Sequence, residues 1–164
     1  MKRKKKRFIY KRDRTRIFND ERSDVYREKR KYKDSPRCAD CGALFLKGRW
    51  TWEESEGETH ESLCPACQRI EENYPAGFVI IRGPFFSEHS REILQMIHNL
   101  ERSEREEHPL ERIMEISRND DHTQITTTGT HMARRLGSAL KSSYRGNLEI
   151  SYDAEQIVRV SWSR

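Results

Sequence analysis

The four cysteines of this chain form two Cys-x-x-Cys pairs separated by 22 residues. Cys38 and Cys41 make the first pair, and Cys64 and Cys67 make the second. Each pair can offer two thiolates from one tight turn, and four thiolates together complete a tetrahedron around a metal ion. Gly42 follows the first pair, where a metal-binding turn needs positive φ so that backbone N–H groups can point at the sulfurs. The spacing therefore predicts one structural Zn2+ bound by these four cysteines, with no ligand position left for catalysis.

A disulfide framework, a redox pair and an iron site are the three alternatives to a zinc site at these cysteines. A disulfide framework requires an oxidising compartment, and the N-terminus has charge without the apolar run of a secretory signal. A thioredoxin-like redox pair requires a strand before the motif and a helix that starts at it, and neither flank is predicted to supply them. Iron bound by the same sulfurs stays open on spacing alone, although four thiolates in closed geometry favour zinc.

The first 33 residues form a basic arm. They hold 16 Lys and Arg against 5 Asp and Glu, a net charge of +11, whereas the other 131 residues hold 16 against 22, a net charge of −6. Such an arm is expected to be disordered when free, since it repels itself and has few apolar residues. Its basic side chains can neutralise phosphates and its aromatic side chains can stack on unpaired bases. The arm is therefore predicted to bind nucleic acid.

Two plainer interpretations of the arm are a solvated tail that aids solubility and a nuclear-localisation signal in the first seven residues. The aromatic residues interleaved with the charges are Phe8, Tyr10, Phe18, Tyr26 and Tyr32. The residues of the arm predicted to contact nucleic acid are Lys2, Arg3, Lys4, Lys5, Lys6, Arg7, Lys11, Arg12, Arg14 and Arg16.

The elements that position the cysteines are short. Leu44 to Leu46 and Arg49 to Glu53 flank Lys47-Gly48, and Trp50 and Trp52 alternate onto one face, as in a β-hairpin between the two pairs. The cysteine region is thus predicted to be a zinc ribbon, with domains at 1–33 (basic RNA-binding arm), 34–75 (zinc ribbon) and 76–164 (α+β).

The region after the ribbon is predicted to be a small mixed-sheet domain with its helices on one side. A buried apolar run and later alternating segments indicate strands, and apolar residues at helical spacing indicate helices. Ser87 is the expected N-cap of the first helix, Pro109 starts the second, Thr130 caps the third and Gly146 ends it. In chain order the elements are a strand at 78–81, helices at about 87–107 and from 109, a strand at 124–128, a helix at 131–144, and strands at 147–152 and 156–162, which gives the order β-α-α-β-α-β-β.

The third helix also carries candidate nucleic-acid contacts. His131 lies near its N-terminus, and Arg134, Lys141 and Arg145 line a face away from its apolar stripe, with Arg135 beside them. An ordinary solvated helix face explains the same charges equally well.

Several motifs resemble an uncharacterised family of bacterial zinc-ribbon proteins over most of residues 35–164. The resemblance implies a zinc ribbon but no particular activity. The motifs are Gly48-Arg49-Trp50, Cys64-Pro65-Ala66-Cys67, Tyr74-Pro75-Ala76-Gly77, His108-Pro109-Leu110 and the Thr-rich segment Gly129-Thr130-His131-Met132-Ala133-Arg134-Arg135.

More distantly, the chain resembles the N-terminal zinc region of the archaeal and eukaryotic adaptor for nuclear export of the large ribosomal subunit. There a cysteine pair like Cys64 and Cys67 precedes a stretch like Thr130-His131 and Arg134-Arg135. That family has twice as many cysteines and further domains, so export is not implied. The resemblance implies attachment to the ribosome or ribosomal RNA, and the sequence leaves open whether this serves ribosome assembly, stress-linked hibernation or rescue.

The leading hypothesis is therefore a cytoplasmic, ribosome- or RNA-associated binding protein that is not an enzyme, with no membrane partner and no small-molecule substrate. A DNA-binding regulator is disfavoured because no recognition-helix pattern follows the cysteines. An RNA-processing enzyme is disfavoured because no phosphate-binding Gly-rich loop or nucleophile elbow is present. Such an enzyme would draw on His89, His98, His108, His122 or His131 with Glu88, Asp120 or Asp121.

Overall fold

The computed structural model describes Tyr26 and residues 35–164, which form two mixed β-sheets and three α-helices. The described part of the chain is thus α+β, as predicted. In chain order its elements are β1 (Arg37–Cys38), β2 (Leu44–Leu46), β3 (Arg49–Thr51), β4 (Glu61–Ser62), α1 (Pro65–Glu71), β5 (Gly77–Arg82), α2 (Pro84–Glu107), β6 (Ile113–Arg118), β7 (His122–Thr127), α3 (Thr130–Tyr144), β8 (Asn147–Tyr152) and β9 (Val158–Ser163).

The small sheet carries the first cysteine pair and has the strand order β3-β2-β1-β4. β2 and β3 pair antiparallel, with Phe45 opposite Trp50, which confirms the predicted hairpin. Its turn residues Lys47 and Gly48 both have positive φ, 49° and 84°. Two positive φ values give a two-residue turn the twist that suits a hairpin. β4 joins the sheet parallel to β1 and brings the chain back to the first pair just before Cys64.

The large sheet has the strand order β6-β7-β5-β9-β8, with β5 antiparallel to β7 and parallel to β9. Val79 and Ile81 on the central strand are fully buried, and their partners across the sheet include Ile125, Val160 and Trp162. These side chains form one core with buried residues of both α2 and α3, so the two helices cover the same sheet face. Burying each side chain of this size stabilises the fold by about 1.5–3 kcal/mol.

The predicted second helix, starting at Pro109, is wrong. The chain instead enters strand β6, which pairs antiparallel with β7, so the order from β5 onward is β-α-β-β-α-β-β. A register shift between Ile113 and Glu115 places Ile113 and Ile116 on the same face of the strand. A β-bulge inserts one residue and so puts two residues three apart on one side. That spacing is also the spacing of a helix stripe, which explains the wrong prediction.

The helix starts differ from the prediction by a few residues. α2 begins at Pro84, three residues before the expected cap Ser87, and Gly83 is its N-cap residue. Proline suits a first helical position because its missing N–H has no partner there in any case. α3 begins at Thr130, which was predicted to cap it; Gly129 is the N-cap residue and offers no side chain.

The predicted closing hairpin is confirmed by the antiparallel pairing of β8 and β9.

Candidate metal centre

The four cysteine sulfurs converge at one point. Cys38 ends β1, Cys41 lies in the turn after it, Cys64 is the N-cap of α1, and Cys67 lies in the first turn of that helix. Their Sγ atoms all lie within 4.8 Å of one another, and the Cys41 and Cys64 sulfurs are 3.7 Å apart. A metal–sulfur bond of about 2.3 Å in a tetrahedron requires sulfur–sulfur distances of about 3.8 Å. The four cysteines therefore form a site that can hold one metal ion.

Backbone geometry in the two turns sets up this convergence. Gly42 has a φ of 77°, as predicted, and its N–H donates to the Cys38 carbonyl at 2.9 Å. The Cys64 N–H donates to the Cys38 sulfur at 3.3 Å, and the Cys67 N–H donates to the Cys64 sulfur at 3.4 Å. Hydrogen bonds from backbone N–H groups favour the charged form of an acceptor, here the thiolate that binds metal.

The second cysteine pair is preceded by a strand and followed by a helix, although the sequence predicted neither. β4 precedes Cys64, and α1 starts at Pro65 within the motif. The argument against a redox pair that rested on its flanks is therefore wrong. What disfavours a simple redox pair is instead the arrival of Cys38 and Cys41 at the same point, which makes a four-sulfur set. All four cysteines are free thiols in the structure.

The thiols influence one another strongly. Hydrogen bonding with Cys64 lowers the pKa of the Cys41 thiol to about 4. The same contact raises the pKa of Cys64 well above its usual value, and burial adds to the rise. Burial raises the pKa of Cys67 to about 11. A metal binds only thiolates, so it must displace the protons that these raised pKa values retain, and metal affinity falls as the pH falls.

A buried arginine from the large sheet completes the site. Arg112 lies just before β6 and is only 5% exposed. Its guanidinium donates to the Cys67 sulfur at 3.3 Å, to the Cys64 sulfur at 3.8 Å and to the Pro109 carbonyl at 2.7 Å. Burial alone would lower the pKa of Arg112, but hydrogen bonds to the cysteine sulfurs raise it. Four thiolates and a divalent ion carry a formal charge of −2, and this cation offsets part of it.

Sequence reasoning missed Arg112 because the segment was predicted to be a helix, in which an arginine among apolar residues would lie on the solvated face. The residue is held by the sheet instead: the Arg112 N–H donates to the Thr128 hydroxyl at 2.9 Å. The adjacent Leu110 also packs against the apolar residues around the cysteines. The large sheet thus supplies part of the metal site.

Replacing Arg112 with glutamine is expected to weaken metal affinity by about 10- to 100-fold, because partners of metal ligands commonly contribute that much. The variant removes the positive charge while leaving every sulfur in place. Affinity is measured by competition with a chromophoric chelator. The metal affinity of Arg112→Lys should lie between those of the unmutated protein and Arg112→Gln, since lysine keeps the charge but not the planar guanidinium. Arg118→Gln, an exposed arginine in β6, is the matched control, and equal affinities for Arg112→Gln and Arg118→Gln would contradict the role assigned to Arg112.

The predicted nucleic-acid-binding residues fall into two groups. Those of the arm, from Lys2 to Arg16, lie outside the described residues. Of the later ones, Arg135 donates to the Glu104 carboxylate at 2.6 Å, and the His131 ring lies 3.3 Å from the same carboxylate. Arg134 is half-buried. The Lys141 ammonium donates to the Gly146 carbonyl beyond the helix end, and the Arg145 carbonyl accepts the Trp162 indole N–H at 2.7 Å.

One aromatic residue of the arm is described and contacts the folded part. The Tyr26 ring lies 4.4 Å from the Arg69 guanidinium carbon and 5.9 Å from the Tyr74 ring centroid. The Tyr26 hydroxyl donates to the Glu72 carboxylate. These contacts place Tyr26 beside the segment that links α1 to β5.

Two carboxylates organise the start of α3. The Glu111 carboxylate accepts the Met132 N–H at 2.8 Å and so caps the helix, and burial raises the pKa of Glu111. A Cβ on Gly129 would fall 2.3 Å from a Glu111 oxygen, so a side chain there would displace this carboxylate from its capping position. Burial would raise the pKa of Glu104, but Arg135 and His131 outweigh it and lower it. Glu104 thereby links the end of α2 to α3. His131 takes part in this link, so its role here is structural.

Comparison of the chain with protein-family models, curated proteins and solved structures finds no match. Among the residues that the structure describes, no helix is both long enough and apolar enough to cross a membrane.

Proposed function

We propose that the four cysteines bind one Zn2+ as the closed, structural site of a zinc ribbon. An all-sulfur set favours zinc over the hard cations that prefer oxygen ligands. Four protein ligands fill a tetrahedral ion and leave no position for water or substrate. The burial of Cys38, Cys64 and Cys67 supports the same role. Bound zinc would contribute folding energy here and not a reactive water.

We further propose that this zinc protein binds RNA through its basic arm. The observation that carries the proposal is the division of charge, +11 in residues 1–33 against −6 in the rest. A polyanion is attracted to the arm, whereas the net charge of the remaining residues is negative, so the arm makes the first contacts. The aromatic residues among the arm's charges favour a strand with unpaired bases, which is the usual target of sequence-tolerant RNA binding.

The ribosome is the RNA-containing partner that the motif resemblance implies, and we include in this proposal a role in ribosome assembly, hibernation or stress. Binding is proposed in preference to catalysis because the described histidine–carboxylate contacts serve local structure. His131 and Glu104 link two helices, and His122, the first residue of β7, contacts Asp121 at the end of the preceding turn. An RNA-processing enzyme would need such a pair to face a bound strand.

Sedimentation of the tagged full-length protein in cell lysate tests the proposal. On a sucrose gradient the protein is expected to travel with a ribosomal particle at about 50 mM salt and to persist there at about 200 mM, if the folded part adds a specific contact to the arm. Digestion with ribonuclease should release it, and digestion with deoxyribonuclease should not. A protein that stays at the top of the gradient at both salt concentrations would overturn the ribosomal part of the proposal.

A further inference from the structure

An open cleft of about 790 Å³ lies between the small sheet and helix α2, beside the metal centre. Its volume falls within the range of about 300–1,000 Å³ that is usual for ligand sites. Cys41, the half-exposed member of the four cysteines, is one of its lining residues. The residues that matter to its chemistry are Trp52, Gln95, His98, Arg102 and Arg105.

Trp52 forms a rigid aromatic wall of this cleft. The side chain follows strand β3 and remains 37% exposed, unlike the buried Trp50 two residues earlier. Its indole N–H donates to the Arg105 carbonyl at 2.6 Å, so the ring is tethered to α2. A large aromatic ring that is both exposed and held in one orientation costs little further entropy when a planar ligand stacks on it.

A polar stripe of α2 also lines the cleft. Gln95, His98, Arg102 and Arg105 follow one another at intervals of three, four and three residues, which places them on one face of a helix. The Arg105 guanidinium carbon lies 5.9 Å from the Trp52 ring centroid, within reach of a cation–π contact.

Two glutamates also line the cleft, and they differ in availability. The Glu101 carboxylate accepts the Ile113 N–H at 2.7 Å and is thus held at strand β6. Glu106 is exposed on the helix. The two arginines therefore offer donors for an anionic group close to the indole, while the two glutamates leave the lining without a formal net charge. This balance suits a base with its adjoining phosphates better than a long polyanionic duplex.

We propose that this cleft receives one unpaired nucleobase of a bound RNA strand, stacked on Trp52, with Arg102 and Arg105 contacting the adjoining phosphates. The inference rests on the proposed RNA binding and names the place where the folded part contributes to it. The arm supplies long-range attraction, and the cleft supplies a contact that only a single-stranded segment can make, because a paired base has no free face.

The test uses full-length, zinc-loaded protein and a fluorescein-labelled oligouridine of about eight nucleotides, a length that single-strand-binding sites commonly cover. Trp52→Ala is expected to raise the dissociation constant about 5- to 150-fold, the range observed for removal of one base stack. Trp52→Phe should retain most of the affinity. Arg102→Gln should lower the salt dependence of binding by about one phosphate contact. The matched control is Arg91→Gln, an exposed arginine elsewhere on α2.

Tryptophan fluorescence gives a second measurement that does not depend on affinity. Trp50 and Trp162 are 8% and 0% exposed, so quenching by the oligonucleotide should come from Trp52 and be missing in Trp52→Phe. A strand of the same length with abasic sites should bind without quenching. Zinc content and circular dichroism matching the unmutated protein confirm that each variant is folded.

The outcomes separate the two proposals. If the unmutated protein does not bind the oligonucleotide, the proposed RNA function fails and the cleft proposal falls with it. If the unmutated protein binds the oligonucleotide, and Trp52→Ala binds it as tightly as the unmutated protein and the Arg91→Gln control do, RNA binding stands and the cleft proposal is overturned. Equal quenching by the abasic strand would also overturn it, since a contact with Trp52 would then not involve a base.

Discussion

Cys64→Ser is expected to release the metal and to unfold the small sheet, while the large sheet keeps its own core. Cys64 is completely buried and lies within reach of Cys38, Cys41 and Arg112. Structural zinc contributes about 10–16 kcal/mol of apparent binding free energy in small zinc domains. β1 and β4 have two residues each, and β2 and β3 three each. Such short strands cannot supply a stabilisation of that size by themselves.

The expected release of metal is measured as metal content by mass spectrometry, and the unfolding is measured as amide hydrogen exchange. Exchange should rise across residues 35–71 and stay slow in β5, β7 and β9, which lie at the centre of the large sheet. Asp40→Asn is the matched control, because Asp40 lies between Cys38 and Cys41 in the same metal site but is exposed. Since serine at position 64 also disturbs packing, the unmutated protein is treated with a chelator in parallel, and protection should return when zinc is added back.

Removal of the metal should also change amide hydrogen exchange outside the small sheet. The Arg112 guanidinium is buried against the cysteine sulfurs, and a buried cation without its anionic partners is costly. We therefore expect faster exchange at the start of β6 as well. A Cys64→Ser variant that retains one equivalent of metal with unchanged exchange in residues 35–71 would contradict the structural role of the site.

Deletion of residues 1–33 is expected to weaken RNA binding at about 50 mM salt. It should also remove most of the loss of affinity, on the order of a thousandfold or more, that about ten arm–phosphate contacts give the full chain between about 50 and 200 mM salt. The deletion changes the net charge of the chain from +5 to −6. The slope of log affinity against log salt should flatten as well, by about 0.7 for each phosphate of a single strand that the arm neutralises. Both quantities come from fluorescence-anisotropy titrations at several salt concentrations.

An arm of the same length with Lys and Arg replaced by glutamine is the control for charge. A second variant, with Phe8, Tyr10, Phe18, Tyr26 and Tyr32 replaced by leucine, separates stacking from charge. Tyr26 already contacts Arg69, Glu72 and Tyr74, so RNA that stacks on Tyr26 must first displace those contacts. An arm-deleted protein that binds RNA as tightly as the full chain would refute the role of the arm.

Local sequence determined much of the fold. The Cys-x-x-Cys spacing, the Lys47-Gly48 turn and the positive φ of Gly42 each follow from the needs of a few neighbouring residues. The closing hairpin and helices α2 and α3 follow from apolar periodicity over single segments. These features were predictable because a strand, a helix stripe and a tight turn are defined by residues close together in the chain.

Other features were decided only by tertiary structure. Strand β6 could not be distinguished from a helix, because a bulge gave Ile113 and Ile116 the spacing of a helix face, and only pairing with β7 settles the conformation. Residue pairs far apart in the chain were equally hidden: Arg112 meets Cys67 from 45 positions away, and Trp52 meets Arg105 from 53. The sequence by itself therefore determined which cysteines can form the metal site. Tertiary packing decided that Arg112 contacts the cysteine sulfurs and that a cleft opens beside them, since those contacts exist only once distant parts of the chain pack together.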